Sequence, residues 1–444
     1  MARRRRKQKL PTEPVLIDIT ALSHDGRGIG RIDGKATFVD GALPGEQVMF
    51  EYTQKRSSFD EGRVVELLTA AANRVQPRCA QATICGGCSL QHLDPQAQIE
   101  SKQSVLLEQL EHFGALQPQA LLAPMTGPHY GYRRKARLGV KYVLKKESVL
   151  VGFREKRNSF LAEIEKCHVL APEIGLIFPE IKALVMRLQA RMAIPQIEVA
   201  KGDDATAIVV RHLEPLCEED QAEWVKFCQD HQLHLYLQPA GQDSIHKVWP
   251  DDGNVRLSYQ LPDFNLTMRF HPSDFTQVNQ EINQQMIRDA LQLMDVQPGE
   301  RILDLFCGLG NFTLPLATKA ATVVGVEGDE AMVQRGRENA QSNNIDNVEF
   351  YAADLTKPFD GQPWGQAGFD KILIDPPRSG ALEIVAKMTV FRPKRIVYVS
   401  CNPATLARDA GELKKQGYSL IQAGVMDMFP HTTHVESIAV FEPE

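Results

Sequence analysis

Five short apolar runs constrain this chain more than any other feature: RILDLFC (301–307), TVVGVE (322–327), VEFYAAD (348–354), KILIDPP (371–377) and RIVYVSC (395–401). Each is long enough for a buried strand and too short for a buried helix, and helix-like segments lie between several of them. Strands that alternate with helices pair in parallel, because a crossover returns the chain to the same end of the sheet. Residues 271–444 therefore read as an α/β domain with a doubly wound parallel sheet.

In such sheets ligands bind beyond the carboxyl ends of the strands, so the residues just after each run are the informative ones. The first run leads into Phe306, Cys307, Gly308, Leu309 and Gly310, a turn whose glycines let a ligand approach the backbone. Position 313 is Thr where a dinucleotide fingerprint would place a third Gly, which weakens that reading. Acidic residues stand near four strand ends, at Asp304, Glu327, Asp354 and Asp375. A lone acidic residue there is usually a helix cap. Four in register suit S-adenosylmethionine, whose ribose and adenine offer donors and whose sulfonium is cationic.

The fifth run ends at Cys401, and Pro403 stops the strand from continuing. A free cysteine is often only buried filler. With a methyl donor at hand it gains a chemical role. C5 of uracil is a poor nucleophile until a thiolate adds to C6, and a base must later remove the C5 proton. Cysteine suits the first task because a small fraction is thiolate at neutral pH. For the second task, HTTHVESIAVF offers His431, His434 and Glu436.

The amino-terminal part has a different character. The whole chain carries a formal charge of -6, yet residues 1–160 hold 25 Lys and Arg against 16 Asp and Glu, a net of +9. That third can attract a polyanion. Residues 1–13 read as a basic arm and not as a signal peptide, since no apolar stretch comes after the arginines. Short β-like runs between residues 14 and 69 read as a small barrel, with Arg27, Arg31, Lys35, Lys55 and Arg56 on or beside turns. Residues 70–270 read as a central α+β region. Its stretch YGYRRKARLGVKYVLKK interleaves tyrosines with basic residues, a mixture suited to phosphate contact and base stacking. Cys79, Cys85 and Cys88 have a C-x5-C-x2-C spacing that points to metal binding, with zinc and iron–sulfur equally open on spacing.

Taken together, DLFCGLGNFTLPLA, DPPRSG, SCNPATLARD and HVE resemble the marks of the RNA uridine-5-methyltransferases. The resemblance spans nearly the whole chain. It implies an S-adenosylmethionine-dependent methyltransferase domain, an N-terminal TRAM domain of OB type, and a central domain with a [4Fe–4S] cluster on Cys79, Cys85, Cys88 and Cys167. It implies Cys401 as nucleophile and Glu436 as base. The methyl-donor contacts it implies are Gln277, Phe306, Asn311, Glu327, Asp354 and Asp375. The combination of TRAM domain, cluster and methyltransferase is similar to the members of the family that modify 23S rRNA. On that resemblance the chain is expected to be a cytoplasmic monomer, acting on large-subunit RNA without a membrane or a required protein partner. The alternatives are a uridine in tRNA or elsewhere in rRNA, and an RNA-binding assembly factor without turnover. Cys307, Cys217 and Cys228 match no chemical role.

Overall fold

The computed structural model describes residues 10–366 and 368–444, so the basic arm lies outside the described residues up to position 9. The chain divides into two compact units. One runs to Glu100 and includes His431–Thr433, and the other holds Ser101–Pro430 and His434–Glu444. No helix among the described residues is long and apolar enough to cross a membrane.

The first unit contains a six-stranded sheet, in the order Val15–Asp18, Gln47–Lys55, Phe59–Thr69, Lys35–Asp40, Gly28–Ile32, Ala21–Leu22. The barrel expected from the sequence is not closed, since no ladder joins the two outer strands. The chain turns a corner there instead. Ile19 N–H donates to Glu46 O at 2.9 Å on one side, and Thr20 N–H donates to Ile29 O at 2.8 Å on the other. Two residues bonded in opposite directions leave none for a ladder between the edges. Gly30 permits the close approach, because a Cβ on it would stand 2.4 Å from Asp18 O. Ile17, Val39, Val48 and Phe50 fill the interior.

The basic residues read from this region are less available than their count suggests. Arg27 pairs with Asp25 at 2.7 Å and Glu61 at 3.2 Å, and Lys35 and Lys55 both face Asp60. Among the described residues, Arg31 and Arg56 have no carboxylate partner, and both are exposed.

The second unit contains two large sheets and a hairpin. One sheet runs His246–Trp249, Leu233–Gln238, Thr206–Arg211, Gln196–Lys201, Lys135–Val143, Ser148–Gly152. Two of the tyrosines near its start are engaged within the protein. Tyr132 is buried and donates its hydroxyl to Pro430 O at 3.0 Å, while Tyr142 lies beneath the Arg191 guanidinium.

The other sheet carries the strands read from the apolar runs: β1 (Arg301–Leu305), β2 (Thr322–Glu327), β3 (Val348–Ala352), β4 (Lys371–Ile374) and β5 (Arg395–Ser400). Two more come after them, β6 (Tyr418–Met426) and β7 (Glu436–Pro443). The order is β3-β2-β1-β4-β5-β7-β6, with Ala120–Leu121 at the far edge. β1 to β5 are parallel, whereas β7 runs antiparallel to both β5 and β6. The direction of winding reverses at β1, which sets a crevice at the carboxyl ends of β1 and β4. The hairpin Leu257–Leu261/Leu266–Phe270 and the helix Gln280–Met294 bury their apolar faces in the same core as β1, β2, β4 and β5.

Candidate active site

The carboxyl ends of β1, β2, β4 and β5 gather most of the side chains singled out in the sequence. Beyond β1 the chain turns sharply, with Phe306 and Gly308 both left-handed at φ 65° and 56°. The turn brings Gly308 N–H to the Glu327 carboxylate at 3.0 Å, and Gly328 N–H donates to the same group at 2.7 Å. Glu327 is thus held at the end of β2 by backbone donors, a posture that suits a diol of a bound ribose.

Asp304 plays a different part from the one its position suggested. It lies inside β1, is fully buried, and accepts the Thr313 hydroxyl at 2.6 Å. Burial pushes its carboxyl up to about 8, so it holds the turn as an acid and does not face a ligand. Asp354 also departs from the simple picture. It is exposed, and its carboxylate accepts from the Thr356 N–H at 3.0 Å and hydroxyl at 2.6 Å. Asn311 accepts from Tyr259 Oη at 2.8 Å and donates to Asn283 Oδ1 at 2.8 Å. Tyr259 and Asn283 line a small pocket with Gln277, so the network brings Gln277 and Asn311 to one place.

Around Cys401 the structure is tightly specified. Asn402 caps the helix Pro403–Lys415, accepting from Ala404 N–H at 3.1 Å, and Pro403 fills the first helical position. Asn402 Nδ2 also donates to Arg378 O at 3.0 Å, and Arg408 donates to Ser379 O at 2.9 Å. Asp409, buried, accepts from Tyr398 Oη and Ala381 N–H at 2.7 Å each. These bonds clamp the Asp-Pro-Pro-Arg-Ser-Gly loop after β4 to the cysteine loop after β5. The sequence hinted at Asn402 through its Asn-Pro pair. Asp409 closes the SCNPATLARD mark, but nothing in the sequence says that it clamps these loops.

The register supplies the remaining partner. β5 and β7 pair Val399 with Ile438 and Ser400 with Ser437. Carried one step further, the same register sets Cys401 directly across from Glu436. Burial is the largest cause of their shared reluctance to ionise. It acts with the charges of Glu436 and Asp375 to push Cys401 up to about 11, against Arg378. Burial and Asp375 push Glu436 up to about 8, against Arg378 and Lys102. Asp375 is itself raised to about 7 by burial and Glu327.

His434 is the weaker base of the two. Burial and the Arg378, Lys102 and Arg133 charges lower it to about 4. Arg378 Nη2 lies 2.8 Å from its Nδ1, so the neutral ring serves as an acceptor for the guanidinium. His431 is buried in the first unit, where its carbonyl accepts from Ser89 and Leu90 N–H at 2.9 Å each. Cys307 is buried with its thiol raised well above the ordinary value, and Cys228 is buried and raised to about 12. Both thiols are poor nucleophiles in these places.

All four cysteines of the expected cluster are free of disulfides, with Cys85 buried and Cys79, Cys88 and Cys167 partly so. Among the described residues, no three His, Cys, Asp or Glu side chains stand grouped for a metal ion. Thiols have no attraction for one another, and it is the metal that draws them together. Gly87 N–H does point at Cys85 Sγ, at 3.4 Å, as donors do around metal-bound sulfur.

Comparison with known proteins agrees with this geometry. The family model for tRNA (Uracil-5-)-methyltransferase matches residues 94–443, and that for the TRAM domain matches residues 9–65. A 23S rRNA (uracil(1939)-C(5))-methyltransferase RlmD of Alcanivorax borkumensis is 57% identical, covering 99% of this chain and 98% of its own. The protein of that name from Hahella chejuensis is 56% identical, covering 99% of both chains. Among solved structures, the fold is shared with Pyrococcus abyssi tRNA (uracil-54, C5)-methyltransferase in complex with S-adenosyl-L-homocysteine. That likeness has a TM-score of 0.73 at 24% identity and covers 96% of this chain and 100% of the other.

Proposed function

Because the chain belongs to the tRNA (uracil-5-)-methyltransferase family, we infer that it methylates C5 of a uridine in 23S rRNA, using S-adenosylmethionine. The uridine is the one corresponding to 1939, as in the names of its relatives. The work is placed in the cytoplasm, where rRNA is made. The observation that carries this reading is that Cys401 and Glu436 stand one step beyond the last paired residues of β5 and β7, close enough that the charges of Glu436 and Asp375 act on Cys401.

Cys401 adds to C6 of the uracil ring, so that electron density gathers at C5 and O4. The positive charge of Arg378 favours the Cys401 thiolate that this step needs. Bound S-adenosylmethionine supplies an electrophilic methyl group on a sulfonium. Gln277, Phe306, Asn311, Glu327, Asp354 and Asp375 are assigned to hold it. Glu327 would exchange its backbone donors for ribose hydroxyls, and Asp354 would turn out of its local bonds with Thr356. Glu436 then takes the C5 proton, the ring double bond re-forms, and Cys401 leaves. The TRAM region presents Arg31 and Arg56 to the RNA backbone, together with the arm.

A direct assay tests the reading. The purified protein, with methyl-labelled S-adenosylmethionine, is expected to label unmodified 23S rRNA at one uridine C5 and to leave tRNA transcripts unlabelled. Label in tRNA, or at a different atom or base of 23S rRNA, would overturn it.

The resemblance's [4Fe–4S] cluster on Cys79, Cys85, Cys88 and Cys167 is carried in the same proposal, as a structural centre with no part in the chemistry. The support is an all-thiol donor set and the Gly87 bond to Cys85. Protein purified without oxygen should be brown and contain about four iron atoms per chain. Stoichiometric zinc in place of iron would decide for the other thiolate metal.

A further inference from the structure

The second unit contains a buried charge pair that none of these steps uses. Lys102 Nζ stands 2.6 Å from Asp427 Oδ1, with the two side chains only 2% and 1% exposed. The same ammonium donates to Phe429 O at 3.1 Å. An ammonium has three donors. Among the described residues two of them are spent in this way. Burying both charges is costly, and an apolar pair of the same size is often as stable. The pair therefore calls for an explanation beyond packing.

Its position gives one. β6 and β7 pair Met426 with Glu436, so Asp427 leaves β6 just beyond the register position of the base. Asp427 N–H donates to Met125 O at 2.8 Å, and Tyr132 Oη holds Pro430 O at 3.0 Å. The segment 427–430 is thus fixed at both ends, and Lys102 is fixed on it. We propose that Lys102 is a positioning residue of the active site, a buried cation whose task is to keep Glu436 available as a base. The proposal rests on the assignment of Glu436 as the base.

Other groups near Glu436 cannot replace it. From β4 come Asp375, which opposes ionisation, and Arg378, which favours it but is exposed and bonded to His434. From β5 comes Cys401, which adds negative charge once it ionises. From the segment just before its own strand comes His434, which is neutral at working pH. Lys102 is the cation near Glu436 that solvent does not screen. The step it supports is balanced. The C5–H electrons form the C5–C6 double bond, the C6–S electrons return to Cys401 sulfur, and the proton goes to Glu436.

The test measures decay of the covalent protein–RNA adduct against pH, by rapid quench and denaturing electrophoresis. Wild-type decay should rise with pH as Glu436 loses its proton. Lys102→Met with Asp427→Leu replaces the pair by apolar groups of similar size, so the protein should remain folded. Its midpoint should lie higher by about one pH unit or more, with the wild-type rate recovered at high pH. Lys102→Arg should restore the midpoint. Equal loss at every pH, or an unmoved midpoint in the double variant, would overturn the proposal. Glu436→Gln separates the two ideas. If its adduct decays normally, the assignment of the base has failed, whatever the midpoints show.

Discussion

Replacing Cys401 with alanine is expected to abolish methylation, by at least a thousandfold, while S-adenosylmethionine binding stays within about twofold. The residues assigned to the donor lie at or just beyond the carboxyl ends of β1, β2, β3 and β4, with Gln277 in the segment before the helix Gln280–Met294. Removing one sulfur after β5 leaves those elements in place. Uracil C5 without C6 addition has no other route to sufficient nucleophilicity at this site. Isothermal titration with the methyl donor and a filter assay with 23S rRNA measure the two halves separately. A retained rate of even a tenth of wild type would exclude a covalent role. The pH dependence of the thiol is set by its surroundings. With its ionisation pushed up to about 11, Cys401 in the free protein should alkylate slowly at neutral pH. Alkylation should speed up about tenfold per pH unit up to that value.

Glu436→Gln should have an effect almost as large, and of a different kind. The amide keeps the shape of the side chain and cannot take a proton. Addition and methyl transfer should proceed, and the reaction should then stop. The expected product is a methylated protein–RNA species that survives denaturing electrophoresis and disappears when Cys401 is also replaced. The sign of the pH effect is fixed by the direction of the shift. Glu436 is raised to about 8 and acts as the carboxylate, so turnover in the wild type should climb through that value. Above about pH 8, where Glu436 is ionised, the substitution also removes a negative charge near Cys401, so alkylation of the thiol there should become faster. Normal turnover in Glu436→Gln, or a stall with no adduct, would move the base to another residue. His434, drawn down to about 4 and bonded to Arg378, would then need Arg378 to move away.

Residues that depend on local pattern were legible in the sequence. The five parallel strands, Glu327 and Asp375 near strand ends and Cys401 after β5 are all marked by short apolar runs and the residues that end them. Residues that depend on long-range pairing were not. No local signal says that β7 inserts between β5 and β6, so the chemistry of HTTHVESIAVF alone left His431, His434 and Glu436 open, and only the resemblance singled out Glu436. Lys102 looks like any polar residue of an amphipathic helix. Asp304 misled because the pattern marks a strand end only to within a residue or two, and one residue decides between crevice and core. Tyr132 misled because composition cannot tell a stacking ring from a buried one. The open sheet of the first unit differs from a barrel by the missing ladder between its outer strands, which no pattern of side chains reports.

The insertion of β7 also governs when the enzyme can come into being. β6 is made before β7, yet it touches the rest of its sheet only through β7 and the short edge strand Ala120–Leu121. On the ribosome, β1 to β5 can pair as they emerge, whereas β6 must wait for the strand that is made after it. Glu436 arrives with that last pairing. On the proposed assignments, the donor crevice can form while the chain still lacks its base, and a nascent chain able to form the thiol adduct could not yet resolve it. An order of assembly in which substrate binding competence precedes release competence puts a premium on finishing synthesis before the RNA is engaged.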